Sequence, residues 1–179
     1  SQVDPHFIYN TMNTISYLAQ KGKNMDVIAV NRAMIEILRD RLRIEISDVY
    51  DTVEQEIRVT KQYLLIQDYR YEGTFKTKID IAPNLENCLI AKNIIQPLVE
   101  NALFHGILGN KDENGEIIGG CIEISVRKDD DGIRIVVEDN GAGMTEGRLD
   151  EINNQPQGAI RGEHIGVRNI RERIKYIYG

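Results

Sequence analysis

Apolar residues recur every three or four positions through most of the first 72 residues, which is the spacing of amphipathic helices. The first run follows Asp4-Pro5, a favourable start because Asp caps free N–H groups and Pro fits the first turn. It ends near Lys21–Asn24, a second run covers Asp26 to about Ile46, and Ser47 or Asp48 can cap a third. The apolar stripe of the first run is Ile8, Met12, Ile15 and Leu18/Ala19. The pattern predicts a helical hairpin and a third helix.

After residue 72 the pattern changes to that of strands. Phe75–Ile81 alternates apolar and polar residues, and Cys121–Arg127 and Ile133–Glu138 are two further strands, with Asp131-Gly132 suited to a tight hairpin turn between them. Asn93–Phe104 has helical spacing. We therefore predict an α+β chain divided into a helical region, residues 1–72, and an α/β domain, residues 73–179.

The rest of the second region is less regular. Thr145–Glu163 contains few apolar residues and several Gly, Asn and Gln, so a loop or a short helix with a loop is expected. Gly166–Tyr178 returns to helical spacing.

Composition excludes several classes of protein. The chain has 179 residues, 41% of them hydrophobic, and a net charge of −6, which argues against a nucleic-acid-binding surface. Cys88 and Cys121 lack metal-type spacing, so ordinary buried thiols in a reducing compartment are expected. No apolar run approaches the roughly 20 residues that span a bilayer, and no signal peptide opens the chain, so we expect a soluble, cytoplasmic piece.

A glycine-rich turn follows the last predicted strand. Asp139 at the strand end is a hydrogen-bond acceptor for the exocyclic amine of adenine, and Gly141 and Gly143 remove the side chains that would block a base. The alternative is a turn that uses Asp and Gly for backbone reasons alone.

Two other segments supply candidate ligands. Gln96–Gly106 places Asn101 on a helix with an amide oxygen suited to Mg²⁺, and His105 one turn later, where it could contact phosphate or simply be structural. Gly162 and Gly166 flank a second turn before a helix whose N–H groups could face phosphates. Basic residues on that helix could neutralise phosphate or form a solvated face: Arg168, Arg171 and Arg173.

In this order the three segments resemble the N, G1 and G2 boxes of the GHKL ATP-binding fold of histidine kinases, gyrase, Hsp90 and MutL. The resemblance implies ATP and Mg²⁺ as cofactors, with Asp139 on adenine, Asn101 on the metal, and Asn169 within the nucleotide site. One departure stands out, because His164 occupies a position where related kinases usually carry glycine. Phosphate cradling at this turn is expected to be altered.

The first residues of the chain indicate one group of proteins within this fold. Gln2–Ile15 resembles the phospho-acceptor box of YesM/LytS-type sensor histidine kinases, as do Tyr63–Tyr71 and the Gln96–Gly106 box. This resemblance implies that His6 is phosphorylated and that the first two helices form a dimerisation and phosphotransfer hairpin. It further implies a two-layer α/β sandwich of the GHKL (Bergerat) type in the second region, a homodimer, and a response regulator receiver domain as partner.

The residues around His6 are compatible with that role. A neutral imidazole keeps a ring nitrogen lone pair for attack on a γ-phosphoryl group. His6, Asn10 and Asn13 lie three or four residues apart and share a helix face, so the asparagines could orient the ring. The alternative is a polar stripe on an amphipathic hairpin.

Two rival functions remain open: a GHKL ATPase that acts as a conformational switch, and a degenerate dimerisation scaffold without kinase activity. The ATPase is disfavoured because Pro97 stands where gyrase-like relatives carry the water-activating base. Glu100 is near, but adjacent helix residues point in different directions, so it is not assigned as that base. The resemblance also implies a membrane-spanning sensor upstream, in the bacterial cell membrane, and further strands after Gly179.

Overall fold

The computed structural model describes residues 4–42, 49–130 and 132–144. Its helices are α1 (Pro5–Gln20), α2 (Asn24–Leu42), α3 (Val53–Arg70) and α4 (Ile95–Asn101), which continues as a π-helical segment, Ala102–Ile107. Its strands are β1 (Tyr50–Thr52), β2 (Phe75–Ile81), β3 (Leu89–Ala91), β4 (Gly120–Asp129) and β5 (Gly132–Asp139). This mixture of helix and sheet confirms the predicted α+β class.

Helix α1 begins where the sequence predicts. Asp4 is its N-cap, and the Asp4 carboxylate accepts a hydrogen bond of 2.9 Å from the His6 backbone N–H. Its buried face differs from the predicted stripe, because Met12 is 43% exposed while Thr11 and Thr14 are buried beside Leu18. Both threonine hydroxyls donate to backbone carbonyls four residues earlier, which allows these polar side chains to be buried.

Helix α3 begins later than predicted. Its N-cap is Thr52, whose hydroxyl accepts from the Gln55 N–H at 3.1 Å, so a cap at Ser47 or Asp48 is wrong for this helix. The three residues before it form β1, which pairs antiparallel with β3. Neither three-residue strand was predicted, because each is shorter than the alternation that identifies a strand in sequence.

The larger sheet has the order β2-β4-β5, with β2 parallel to β4 and β4 antiparallel to β5. Asp129 pairs with Gly132, which confirms the predicted hairpin, although Asp131 in its turn lies outside the described residues. The buried face of central strand β4 is Ile122, Ile124 and Val126, each at most 1% exposed. Complete burial of such a side chain stabilises the fold by about 1.5–3 kcal/mol.

Packing joins the sheet to the helices. The helix formed by α4 and its π-helical continuation packs on β4 and β5, and α3 packs on α4 and on α2. The pairing of Tyr50 with Ala91 links the regions on either side of residue 72, and the division into 1–72 and 73–179 stays a prediction.

Cys88 and Cys121 are half-buried free thiols. None of the helices in the described ranges combines the length and apolar character needed to cross a membrane.

Candidate functional site

The helix that carries Asn101 is anchored at its start by a buried carboxylate from α3. Glu56 accepts hydrogen bonds from the backbone N–H groups of Asn93, Ile94 and Ile95 at 2.6, 3.1 and 3.3 Å. Burial raises the pKa of Glu56, while these hydrogen bonds and the charge of Arg41 oppose that shift. Glu56 thus supplies the N-terminal cap that α4 lacks among its own side chains.

At its other end the same helix changes from α to π spacing. Leu108 N–H donates to the carbonyl of Leu103, five residues earlier, at 2.8 Å. Such π-helical turns occur often at functional sites. Here the wider turn includes Gly106, whose carbonyl accepts a hydrogen bond of 2.9 Å from Ala142 N–H in the glycine-rich turn. The helix of the predicted N box and the turn of the predicted G1 box are therefore directly joined.

Asp139 lies in this junction. A Cβ atom placed on Gly106 would be 2.2 Å from Asp139 Oδ1, and one on Gly141 would be 2.1 Å from the Gly106 carbonyl carbon. Asp139 Oδ1 also accepts from Gly141 N–H at 3.0 Å, and the carboxylate is exposed. Both glycines are thus required by close approach, and the carboxylate is oriented with one face open to a ligand.

Asn140 holds the same turn to the sheet. Its side-chain oxygen accepts from Cys121 N–H at 2.7 Å, while Gly143 has a φ of +69°, a value that glycine adopts without strain.

Asn101 is half-buried, and its side-chain nitrogen has no hydrogen-bond partner in the described part of the chain. The amide is therefore not committed to the fold through that atom. An amide oxygen is a suitable ligand for Mg²⁺, which usually takes few protein ligands and completes its shell with water and phosphate. The Asn101 side-chain oxygen can supply one such ligand.

His6 lies in a separate cleft whose lining includes residues of the same helix but neither Asn101 nor Asp139. The cleft has a volume of about 230 Å³ and lies between α1 and α4; its lining includes His6, Asn10, Arg41, Gln96 and Glu100. The Asn10 side-chain nitrogen is 3.1 Å from each His6 ring nitrogen, as the shared helix face predicts. The ring is exposed and can be oriented by this amide.

Phe7, the residue after His6, anchors α1 to α3. Its ring stacks on Tyr63 of α3 with centroids 5.4 Å apart. Aromatic pairs of this geometry contribute about 0.5–1.5 kcal/mol beyond the area they bury.

The structure thus groups the predicted residues in two places. Asp139, Gly141 and Gly143 lie with the helix of Asn101 and the exposed His105, whereas His6 and Asn10 line the cleft. Several predicted positions lie outside the described residues: Gly162, His164, Gly166, Arg168, Asn169, Arg171 and Arg173, with the loop 145–163 and the helix 166–178. Their roles stay predictions.

Sequence reasoning missed Glu56 and Arg41. Arg41 Nη2 donates to Gln96 Oε1 at 2.7 Å across 55 residues, and Glu56 reaches α4 from 37 residues away. Each lies on a helix where a charged residue is ordinary, so no local pattern identifies it.

Two family models match adjoining parts of the chain. Residues 1–75 match the family model described as histidine kinase, and residues 89–179 match that described as histidine kinase-, DNA gyrase B-, and HSP90-like ATPase. The second family implies ATP binding.

Alignments with two named relatives extend over nearly the whole chain. It is 32% identical to Sensor histidine kinase YesM of Bacillus subtilis over 100% of its own length and 28% of that protein. It is 27% identical to Sensor protein kinase HptS of Staphylococcus aureus over 99% of its length and 32% of that protein. The chain therefore spans about a third of the length of these relatives.

A solved structure described as "1.7 Angstrom Structure of a Bacterial Phosphotransferase" superposes with a TM-score of 0.51 at 17% identity, covering 96% of this chain and 79% of that one. At this identity the likeness concerns the fold alone. The second family model covers half of the chain and the first covers the segment around His6. Residues 1–75 match the separate model described as histidine kinase, and the chain belongs to the histidine kinase-, DNA gyrase B- and HSP90-like ATPase family.

Proposed function

We propose that this chain is the kinase core of a two-component sensor histidine kinase, which transfers the γ-phosphoryl group of ATP to His6. The observation that carries the proposal is the cleft in which His6 and Asn10 face the helix that also bears Asn101. A nucleotide-binding domain alone would have no need of an exposed, oriented imidazole packed beside that helix.

The contacts are compatible with the proposed roles. Asp139, held by Gly141 N–H and packed on Gly106, hydrogen-bonds the exocyclic amine of adenine. Asn101 holds Mg²⁺, which neutralises phosphate charge when it is bound. His6 attacks the γ-phosphorus through a ring nitrogen, with Asn10 fixing the ring orientation. Phosphoryl transfer depends mainly on positioning and charge neutralisation, so no further covalent machinery is required.

The proposal extends to assembly. Large apolar side chains are exposed along the α1–α2 hairpin, which supports a homodimer formed through these helices: Tyr9, Met12, Tyr17, Met25, Ile28 and Ile35. We further propose that an aspartate of a response regulator accepts the phosphoryl group and that the longer protein has a sensor region in the bacterial cell membrane. The relatives are named as sensor kinases, which supports a sensor region.

The test is transfer of label from γ-labelled ATP with Mg²⁺ to the chain, beside the variants His6→Gln and Asp139→Asn. We expect an acid-labile label on the wild type and none on either variant, with nucleotide binding retained in His6→Gln. ATP consumption without labelled protein would instead indicate the ATPase switch. Failure of the wild type to bind nucleotide would indicate the scaffold.

A further inference from the structure

A hydrogen bond joins the end of α2 to the start of α4. Arg41, in the last turn of α2, donates from Nη2 to Gln96 Oε1 in the first turn of α4 at 2.7 Å. The two residues lie 55 positions apart and belong to the segments that match different family models, Arg41 to residues 1–75 and Gln96 to residues 89–179. The bond therefore holds the ATPase-like segment against the helical hairpin.

The side-chain amide of Gln96 is engaged at both ends. Its Oε1 accepts from Arg41, and its Nε2 donates to Glu100 Oε1, one turn further along α4, at 2.9 Å. Because both halves of the amide have partners, its orientation is set with the oxygen toward Arg41. The charge of Arg41 also acts on Glu56, the carboxylate that caps α4. The guanidinium thus lies beside the first turn of this helix.

This bond is made on the face of α4 that is turned toward His6. The cleft that contains His6 is lined by one face of α4 and its continuation: Gln96, Pro97, Glu100 and Phe104. The described lining includes neither Asn101 nor Asp139. Since successive residues of a helix point about 100° apart, the predicted metal ligand Asn101 lies on a different face from Glu100. The arrangement presents to His6 a face of the helix other than the predicted nucleotide face.

The space beside His6 is small. Its volume is about 230 Å³, below the roughly 300–1,000 Å³ of pockets that enclose a drug-sized ligand. For transfer within one chain, α4 has to move so that its nucleotide face approaches the imidazole. Transfer from a nucleotide on a partner chain needs the same cleft to open. In both cases the wall formed by α4 has to be released from its present position.

We propose that the hydrogen bond between Arg41 and Gln96 is a latch that holds the kinase in a resting arrangement. This rests on the proposed function. While the bond is made, α4 keeps its cleft face toward His6 and autophosphorylation is slow. When the bond breaks, α4 is free to leave the cleft. A hydrogen bond with a charged donor changes an equilibrium by about tenfold to 100-fold, which is enough to set the populations of two arrangements. Because Arg41 ends α2, a movement of this helix acts directly on the latch.

The test compares Arg41→Met and Gln96→Met with Arg39→Met. Arg39 is an exposed arginine in the same turn of α2 and serves as the matched charge control. The rate of phosphohistidine formation at saturating ATP should rise about tenfold in Arg41→Met and in Gln96→Met, and should stay within about twofold of the wild type in Arg39→Met. The affinity for a fluorescent ATP analogue should be unchanged in all three variants. A higher rate separates a latch from a purely structural contact, because loss of stability alone lowers the rate.

Combining the two substitutions tests whether they act through one bond. The double variant Arg41→Met, Gln96→Met should be no faster than either single variant, because each removes the same interaction. Multiplied effects in the double variant would overturn the latch, and so would a rate in Arg41→Met at or below that of the wild type.

A second readout does not depend on kinase activity. Release of α4 from the hairpin should increase the radius of gyration of the free protein, measured by small-angle X-ray scattering, in Arg41→Met and not in Arg39→Met. An unchanged radius in Arg41→Met would overturn the latch. Failure of the latch alone is recognised by a wild type that forms phosphohistidine at a rate that Arg41→Met does not raise. If neither the wild type nor any variant forms phosphohistidine, the proposed function fails, and the latch fails with it as a control of autophosphorylation.

Discussion

Replacing Gly106 by alanine tests whether the junction between the helix and the glycine-rich turn positions Asp139. The new Cβ would lie 2.2 Å from Asp139 Oδ1, 2.5 Å from its Cγ and 2.8 Å from Oδ2. Because real Cβ contacts lie near or beyond 3.4 Å, the carboxylate or the backbone has to move by about 1 Å. The φ of Gly106 is not positive, so the backbone conformation itself allows alanine. The close contact of the new Cβ with Asp139 is what disfavours the substitution.

The expected cost follows from what the carboxylate does. Overpacking of this kind costs about 1–3 kcal/mol. Movement of the carboxylate also breaks the hydrogen bond that Asp139 Oδ1 accepts from Gly141 N–H, worth about 1.5–3 kcal/mol for a charged acceptor. If half of that combined cost falls on the adenine contact, affinity for nucleotide falls between tenfold and a hundredfold, since 1.4 kcal/mol is a factor of ten.

The assay is titration with a fluorescent ATP analogue, together with urea unfolding of the free protein. Gly132→Ala is the matched control, because its φ is not positive and a Cβ there would meet nothing within 4 Å. We expect the control to bind as the wild type does. Wild-type affinity in Gly106→Ala, with unchanged unfolding, would refute the claim that this contact positions Asp139.

Two other predictions concern stability and assembly. Glu56→Ala leaves three backbone N–H groups at the start of α4 without their acceptor. The free energy of unfolding, measured by urea titration, should fall by about 3 kcal/mol. A fall below about 0.5 kcal/mol would contradict the capping role. Because burial raises the folded pKa of Glu56 above its ordinary 4.5, this group makes the wild type less stable as pH rises from 4.5 through the folded pKa; Glu56→Gln should lack that component. Ile28→Glu, at a 42% exposed position on α2, should convert the dimer to monomer in light scattering, and Leu89→Glu, 66% exposed on β3, should not.

The fold could be predicted from sequence wherever the periodic pattern of apolar residues continued over several repeats. The 16 residues of α1 and the seven of β2 were identified with their limits, because each repeats its period several times. Strands β1 and β3 were missed since they are three residues long and are stabilised by pairing with each other. The start of α3 was misplaced because several residues near it are good N-caps, and tertiary structure selected Thr52.

In the candidate site, too, local patterns could be predicted from sequence and long-range contacts could not. Asp139 and Gly141 were identified from local sequence because a strand that ends in Asp and Gly is itself a local pattern. Their packing on Gly106 depends on the approach of a helix more than 30 residues away, and no property of Gly106 alone indicates it. The Gly106 carbonyl, in the last turn of the segment Ala102–Ile107, accepts from Ala142 N–H, a contact that local sequence likewise does not indicate.

One helix contributes to both groups of predicted residues because its successive residues point about 100° apart. That rotation excludes Glu100 from the metal and nucleotide face, where Asn101 lies, and it is the same rotation that turns Glu100 toward the His6 cleft. The nucleotide face is held by the π-helical turn and Asp139, and the cleft face by Arg41 and Gln96. Both groups of predicted residues therefore share one rigid element. On the proposed function, we expect a nucleotide on one face of α4 to influence the His6 cleft on the other face through this helix.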